Sequence, residues 1–265
     1  MKYILLLVFI TFELFASVAK TDIVSVESEK SRATVKIDKI DIGMSGVVVH
    51  AISNEHSSIL KNAEVIAYDK KSQIATLKLS DYISLKNNYL PHGKWKVSIG
   101  DSFEFARNYS RALLIAPDEE IYHKITKSVS VQWIHPDLFA TLISYKGDAT
   151  PLQEDFKTFS VDSSVGLLFI YLNQKIYTLD IKSFKILSIS DAPLKQSEVK
   201  LPFYSRIGEI SASWFGKGSS RLKSYEPHYY ELLVKNNTKN KKLYEIIKNG
   251  DKKFAFLLDK FEIGE

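Results

Sequence analysis

The chain has no cysteine. That excludes a disulfide framework, a thiol nucleophile and any cysteine-ligated metal, and it is compatible with an oxidising compartment. Seven prolines and eleven glycines in 265 residues are too few for a low-complexity protein, and no internal repeat is visible. Long apolar runs are scarce too. The run Tyr3–Phe15 is interrupted by Thr11 and Glu13 and is shorter than the ~20 residues of a membrane-spanning helix. With Met1-Lys2 before it and Ser17-Val18-Ala19 after it, it reads as a signal peptide of residues 1–19, cleaved after about Ala19. No integral membrane span is expected elsewhere. The mature chain is expected to be exported and periplasmic, with the cell surface as the alternative.

Charge is scarce in balance rather than in amount. The formal excess is +5, and residues 216–265 hold 11 Lys and Arg against 7 Asp and Glu, so nearly all of it sits in the last fifth of the chain. A basic footprint spread over a whole domain is missing, and nucleic acid is not an expected partner.

With 45% apolar residues the chain has material for a sizeable core. Residues 20–116 read as all-β. Ala33, Val35 and Ile37 alternate with polar residues, Ser45–Ile52 is a more buried run, and Ala63–Ala67 and Ile74–Leu77 flank a turn at Asp69–Ser72. Residues 81–99 read as a loop, Ser102–Arg107 as a strand, and Arg111–Ala116 as the last strand before Pro117. Strands at this spacing predict a small barrel or sandwich. After Pro117 the pattern becomes helix-bearing. Pro117, Pro136 and Pro151 each open a helix, and strands are predicted at Val129–Ile134, Val165–Leu172, Lys175–Leu179 and Phe184–Ile189, with a tight turn at Asn173-Gln174. Asp191–Lys200 reads as a linker and Gly216–Ser220 as a hinge. Beyond it, Tyr229–Val234 and Leu243–Ile247 read as short helices and Phe254–Leu258 as a short strand. The fold class is α+β: an N-terminal β-barrel-like domain (20–116), a mixed α/β domain (117–215) and a basic C-terminal extension (216–265).

Catalytic patterns are missing. Ser45 in Gly43-Met-Ser-Gly46 lacks the spacing of a nucleophile elbow, and Gly216-Lys-Gly-Ser-Ser220 follows no buried strand, as a phosphate loop would. None of the six histidines has the i,i+4 spacing of a helical zinc site. His135-Pro136-Asp137 matches the J-domain tripeptide but follows a strand; its plain reading is a helix start. No enzyme, cofactor or metal is expected. An enzyme would need a dispersed site, with His50, His135 and an acid brought into one pocket. Aromatics carry more information. Phe203 is expected in the core, whereas Tyr204, Arg206, Trp214 and Phe215 form a candidate protein-interaction cluster, with Trp214 and Phe215 poorly placed for burial beside Gly216 and Gly218.

Six strings then occur in order: Gly43-Met-Ser-Gly-Val-Val-Val-His50, Gly100-Asp101, Arg111-Ala-Leu-Leu-Ile-Ala-Pro117, His135-Pro-Asp-Leu-Phe139, Gly166-Leu-Leu-Phe-Ile170 and Pro202-Phe-Tyr-Ser-Arg-Ile207. Over about residues 40–215 the chain resembles the N-terminal domain of the plasminogen-binding proteins of Helicobacter-like, epsilon-class bacteria. The resemblance implies an exported or surface-exposed, non-enzymatic binding protein. In that family plasminogen capture is attributed to lysine, notably a C-terminal lysine. This sequence ends in Glu265, so the internal Lys241, Lys242, Lys252 and Lys253 would have to serve. Two functions are therefore expected: a periplasmic scaffold with a protein partner in the cell envelope, in an assembly such as the polar flagellar motor, or a surface adhesin for plasminogen.

Overall fold

A computed structural model describes residues 18–82, 95–196 and 198–263. The first 17 residues of the predicted signal peptide, and most of the loop predicted at 81–99, lie outside the described residues.

Six strands close into a barrel in the order β1-β2-β5-β4-β3-β6. They are β1 (Ala19–Glu27), β2 (Arg32–Lys36), β3 (Ser45–Ala51), β4 (Ser57–Asp69), β5 (Ile74–Asp81) and β6 (Ser102–Phe105). Every pair is antiparallel, and β1 meets β6 with Ala19 opposite Phe105. The alternation seen in the sequence is the inside–outside alternation of the wall. Ile23, Ala33, Val35, Val48, Val65, Leu77 and Phe103 fill the interior.

The second sheet has the order β11-β10-β9-β7-β8, with β7 (Arg111–Ile115), β8 (Gln132–Ile134), β9 (Leu167–Leu172), β10 (Lys175–Asp180) and β11 (Ile186–Asp191). β7 is parallel to both β8 and β9, while β9, β10 and β11 run antiparallel. The strand expected to end the barrel, Arg111–Ala116, is thus a central strand of this sheet. Its unbroken apolar run reflects burial on both faces. Leu113 and Ile115 face one core, Ala112 and Leu114 the other. β9 divides likewise, with Leu168, Ile170 and Leu172 on one side and Leu167, Phe169 and Tyr171 on the other.

One face of the sheet carries α2 (Pro136–Lys146), α3 (Gln153–Asp162) and α4 (Tyr225–Asn236); the other carries α1 (Glu119–Ser128) and the barrel. The C-terminal stretch, expected as a basic extension with short helices, forms those helices and packs them into the core. Tyr225, Tyr229, Tyr230, Leu233 and Val234 of α4, and Leu243 and Ile247 of α5 (Lys241–Lys248), belong to the core. The Tyr225 hydroxyl lies 3.1 Å from the carbonyl of Ile115 and 3.0 Å from that of Tyr171, and Tyr229 donates to the Pro202 carbonyl at 2.9 Å. Phe254–Leu258, expected as a strand, lies in a 3-10 helix, Lys252–Lys260. Phe254 and Leu257 are buried while Phe256 is half exposed, the three-residue spacing of that helix.

Barrel and sheet meet at Asp180, the last residue of β10, which is fully buried. One carboxylate oxygen accepts from Ser45 N (3.0 Å), Ser45 Oγ (2.5 Å) and the Tyr109 hydroxyl (2.8 Å); the other accepts from the amides of Lys182 (3.0 Å) and Ser183 (2.8 Å). Ser183 Oγ donates to the Gly43 carbonyl at 2.6 Å. Gly43 has φ +97°, and a Cβ there would lie 2.2 Å from that of Lys185, so the close approach needs glycine twice over. Burial, reinforced by the Asp180 charge, raises the Tyr109 hydroxyl pKa well above its ordinary value.

Candidate interaction surface

The segment from Phe203 to Ser220 has no regular secondary structure, yet it is fastened along α2. At the start of α2, Pro136 occupies the first turn and His135 Nδ1 accepts from the Asp137 amide at 3.2 Å. That frees the Asp137 carboxylate. Its two oxygens accept from Arg206 N and Arg206 Nε, each at 2.7 Å. The tripeptide starts a helix, as expected; His135 caps it, and Asp137 in its first turn holds a remote segment. Burial alone would raise the Asp137 pKa, but these bonds from Arg206 and the neighbouring His135 hold it below the usual carboxylate value. His135 is lowered by burial, against the raising effect of Asp137.

The segment then follows the helix. Ser211 N donates to Ser144 Oγ at 2.9 Å and Ser213 N to the Gly147 carbonyl at 2.9 Å. Gly147 ends α2 at φ +76°, and a Cβ on it would lie 2.7 Å from the Ser213 Cβ. The predicted hinge, Gly216–Ser220, is also tied down. Thr150 N donates to the Gly218 carbonyl at 2.9 Å, and Thr150 Oγ1 to that of Ser220 at 2.5 Å.

The four predicted interaction residues part company here. Tyr204 is buried. Its amide donates to the Ala116 carbonyl at 2.8 Å, and its ring packs 5.3 Å from that of Tyr122 and 6.3 Å from His135. Arg206 is exposed but committed to Asp137. Trp214 and Phe215 stand 93% and 89% exposed. Tyr145, at the end of α2, is 93% exposed, and Leu138 at its start is exposed as well; neither was singled out from the sequence, although Leu138, Thr141 and Tyr145 mark one helical stripe. The outer side of α2 and its strapped loop thus carry an interrupted strip of exposed apolar side chains, Leu138, Tyr145, Trp214 and Phe215. Phe203, expected in the core, is buried there, stacked 5.4 Å from Phe139.

The predicted lysines also divide. Lys242 donates to the Ile189 carbonyl at 2.8 Å, and Lys253 pairs with Glu226 and Asp251 at 3.0 and 3.1 Å. Lys241 and Lys252 are exposed and form no ion pair among the described residues. The histidines named for a dispersed catalytic site have separate carboxylates. His50 Nδ1 lies 2.7 Å from Asp101 on the barrel, stacked over Trp95, whereas His135 belongs to the start of α2. Among the described residues no group of three or more His, Asp or Glu is placed to hold a metal, and no helix is long and apolar enough to cross a membrane.

The family model for the plasminogen-binding protein pgbA N-terminal region matches residues 18–233. Tyr204, Arg206, Trp214 and Phe215 fall within that span; the four lysines fall beyond it. Two Helicobacter pylori proteins, from strains J99 and 26695, each named plasminogen-binding protein PgbA, are 28% identical to the chain over 200 residues, covering 74% of this chain and 43% of each relative. The chain thus spans less than half the length of these relatives. No solved structure matches it.

Proposed function

The chain belongs to the family of plasminogen-binding protein pgbA N-terminal domains, and from that premise we propose that it is an exported, non-enzymatic protein-binding module of the cell envelope. The observation that carries this reading is the pair Trp214 and Phe215, projecting from a loop that hydrogen bonds hold against α2. Large aromatics held rigidly in water are costly unless a partner covers them, and such residues dominate binding energy when one does. A periplasmic scaffold within an envelope-spanning assembly, such as a polar flagellar motor, is the setting that suits such a module. The test is affinity capture from the native envelope fraction with the unaltered chain and with Trp214→Ala. We expect a specific partner with the first and its loss with the second. Unchanged capture, or fractionation that finds the protein only outside the cell, rejects the scaffold.

A second reading follows from the names of the relatives. Plasminogen would be held by lysine side chains, and Lys241 and Lys252 are the predicted lysines with free ammonium groups among the described residues. Here a lysine analogue should compete with plasminogen binding, and Lys241→Ala with Lys252→Ala should abolish it. Binding indifferent to both removes this reading.

A further inference from the structure

We propose that the strip built on Trp214 and Phe215 receives an extended, acidic polypeptide segment carrying apolar side chains; this rests on the protein-binding reading above and names the chemistry of the partner. Three observations converge. The first is charge. Residues 200–223 contain Lys200, Arg206, Lys217, Arg221 and Lys223 against the single acid Glu209. Asp137 answers Arg206 and Glu209 answers Arg221, while Lys217 and Lys223 pair with nothing among the described residues. The segment that carries the aromatics is therefore itself net cationic, with Asp148 beside it at Gly218, and complements an acidic partner.

The second is shape. Beside the loop lies a cleft of about 240 Å³ with the apolar walls Leu201, Pro202, Ile207, Ile210 and Leu222; Lys200 and the Arg221–Glu209 pair also line it. It is small against the ~300–1,000 Å³ of a small-molecule pocket and suits an anchoring aliphatic or aromatic side chain.

The third is the backbone. The segment bonds to the rest of the molecule through the amides of Tyr204, Arg206, Ser211 and Ser213. Among the described residues the amides of Gly208, Glu209, Ile210 and Ala212 find no acceptor within the protein. An extended polypeptide supplies carbonyls to such amides. A lipid surface, which would also attract cations and aromatics, leaves them without partners in its apolar phase.

The experiment uses the whole chain and two fluorescein-labelled peptides of about ten residues. One alternates glutamate with leucine and phenylalanine; the other has lysine in place of each glutamate. Anisotropy should show the acidic peptide bound at least about tenfold tighter, with the difference shrinking as salt is raised. Trp214→Ala, and separately Lys217→Glu with Lys223→Glu, should each weaken it roughly tenfold while the melting temperature holds. Equal affinity for both peptides, or indifference to both variants, overturns the proposal. So does Trp214-dependent binding to phosphatidylethanolamine–phosphatidylglycerol vesicles without binding to the acidic peptide. If Trp214→Ala abolishes capture of an envelope partner while the acidic peptide shows no preference, the partner chemistry is wrong and the protein-binding reading stands. If capture also survives Trp214→Ala, both fail.

Discussion

Asp180 and Asp137 each sit at the end of a regular element and accept hydrogen bonds from a segment far along the chain. Asp180 closes β10 and takes two bonds from Ser45, 135 residues away; Asp137 opens α2 and takes two from Arg206, 69 residues away. Each seam has a positive-φ glycine pressed against the opposite segment, Gly43 on Lys185 and Gly147 on Ser213. The difference is water. Asp180 is fully buried and its Tyr109 donor with it, while its other donors are half-buried; the Arg206 side chain facing Asp137 is 68% exposed. A buried donor stripped of its acceptor bears the whole desolvation penalty, while an exposed one falls back on solvent. The same motif therefore holds the fold at one place and orients a surface at the other.

The largest effect should come from Asp180→Ala. It leaves the Ser45 amide, the Tyr109 hydroxyl and the amides of Lys182 and Ser183 unanswered, and about 3–5 kcal/mol of stability should be lost. Chemical denaturation checks this, and a loss below about 1 kcal/mol would erase the distinction between the seams. Asp137→Ala should cost less, about 1–2 kcal/mol, because much of its surroundings is wet. Its clearer signature should be faster proteolytic cutting near Arg206–Ser213 than in the unaltered chain.

A smaller effect follows from acid. Burial holds both His228 and His135 below the usual imidazole value of 6.5. The unfolded chain then binds these protons first, so their contribution to stability is complete above about 6.5 and is lost as pH falls through the lower folded values. Asp137, held below 3.8, adds its own loss only in a more acidic window. The melting temperature should drop as pH falls below about 6.5, and His228→Gln should flatten the drop; an unchanged slope in that variant would remove His228 from the account. Smallest of all is Trp214→Ala, expected within about 0.5 kcal/mol because the ring touches little of its own molecule. A loss of several kcal/mol would mean that the exposed seam belongs to the core.

How much was legible depended on how far apart the cooperating residues stand. The barrel showed itself because each strand carries its own alternation, as Ala33, Val35 and Ile37 do. The hairpin at Asn173-Gln174 did so because both residues take positive φ, which those side chains tolerate. Arg111–Ala116 was placed in the wrong sheet because two-sided burial erases period two. The C-terminal helices looked peripheral because their many lysines hide the buried stripe Tyr225–Tyr229–Leu233. The exposure of Trp214 and Phe215 was legible in the adjacent glycines, whereas the burial of Tyr204 was not, because it depends on Tyr122 and His135. Asp180 left only a faint mark, an acid directly after an apolar strand with Lys182-Ser183 behind it, the outline of an aspartate-centred turn.

The segregation of strands along the chain sets an order of events. All six barrel strands lie between Ala19 and Phe105, whereas the second sheet begins at Arg111 and its core is not complete until α4 and Leu257 are in place. A chain that emerges from its N-terminus can therefore close the barrel while most of its partner layer has yet to appear. Until Asp180 arrives, the Ser45 amide is left to water and the rim at Gly43 stays open. The carboxylate then acts as a latch between a part that can finish early and one that comes later.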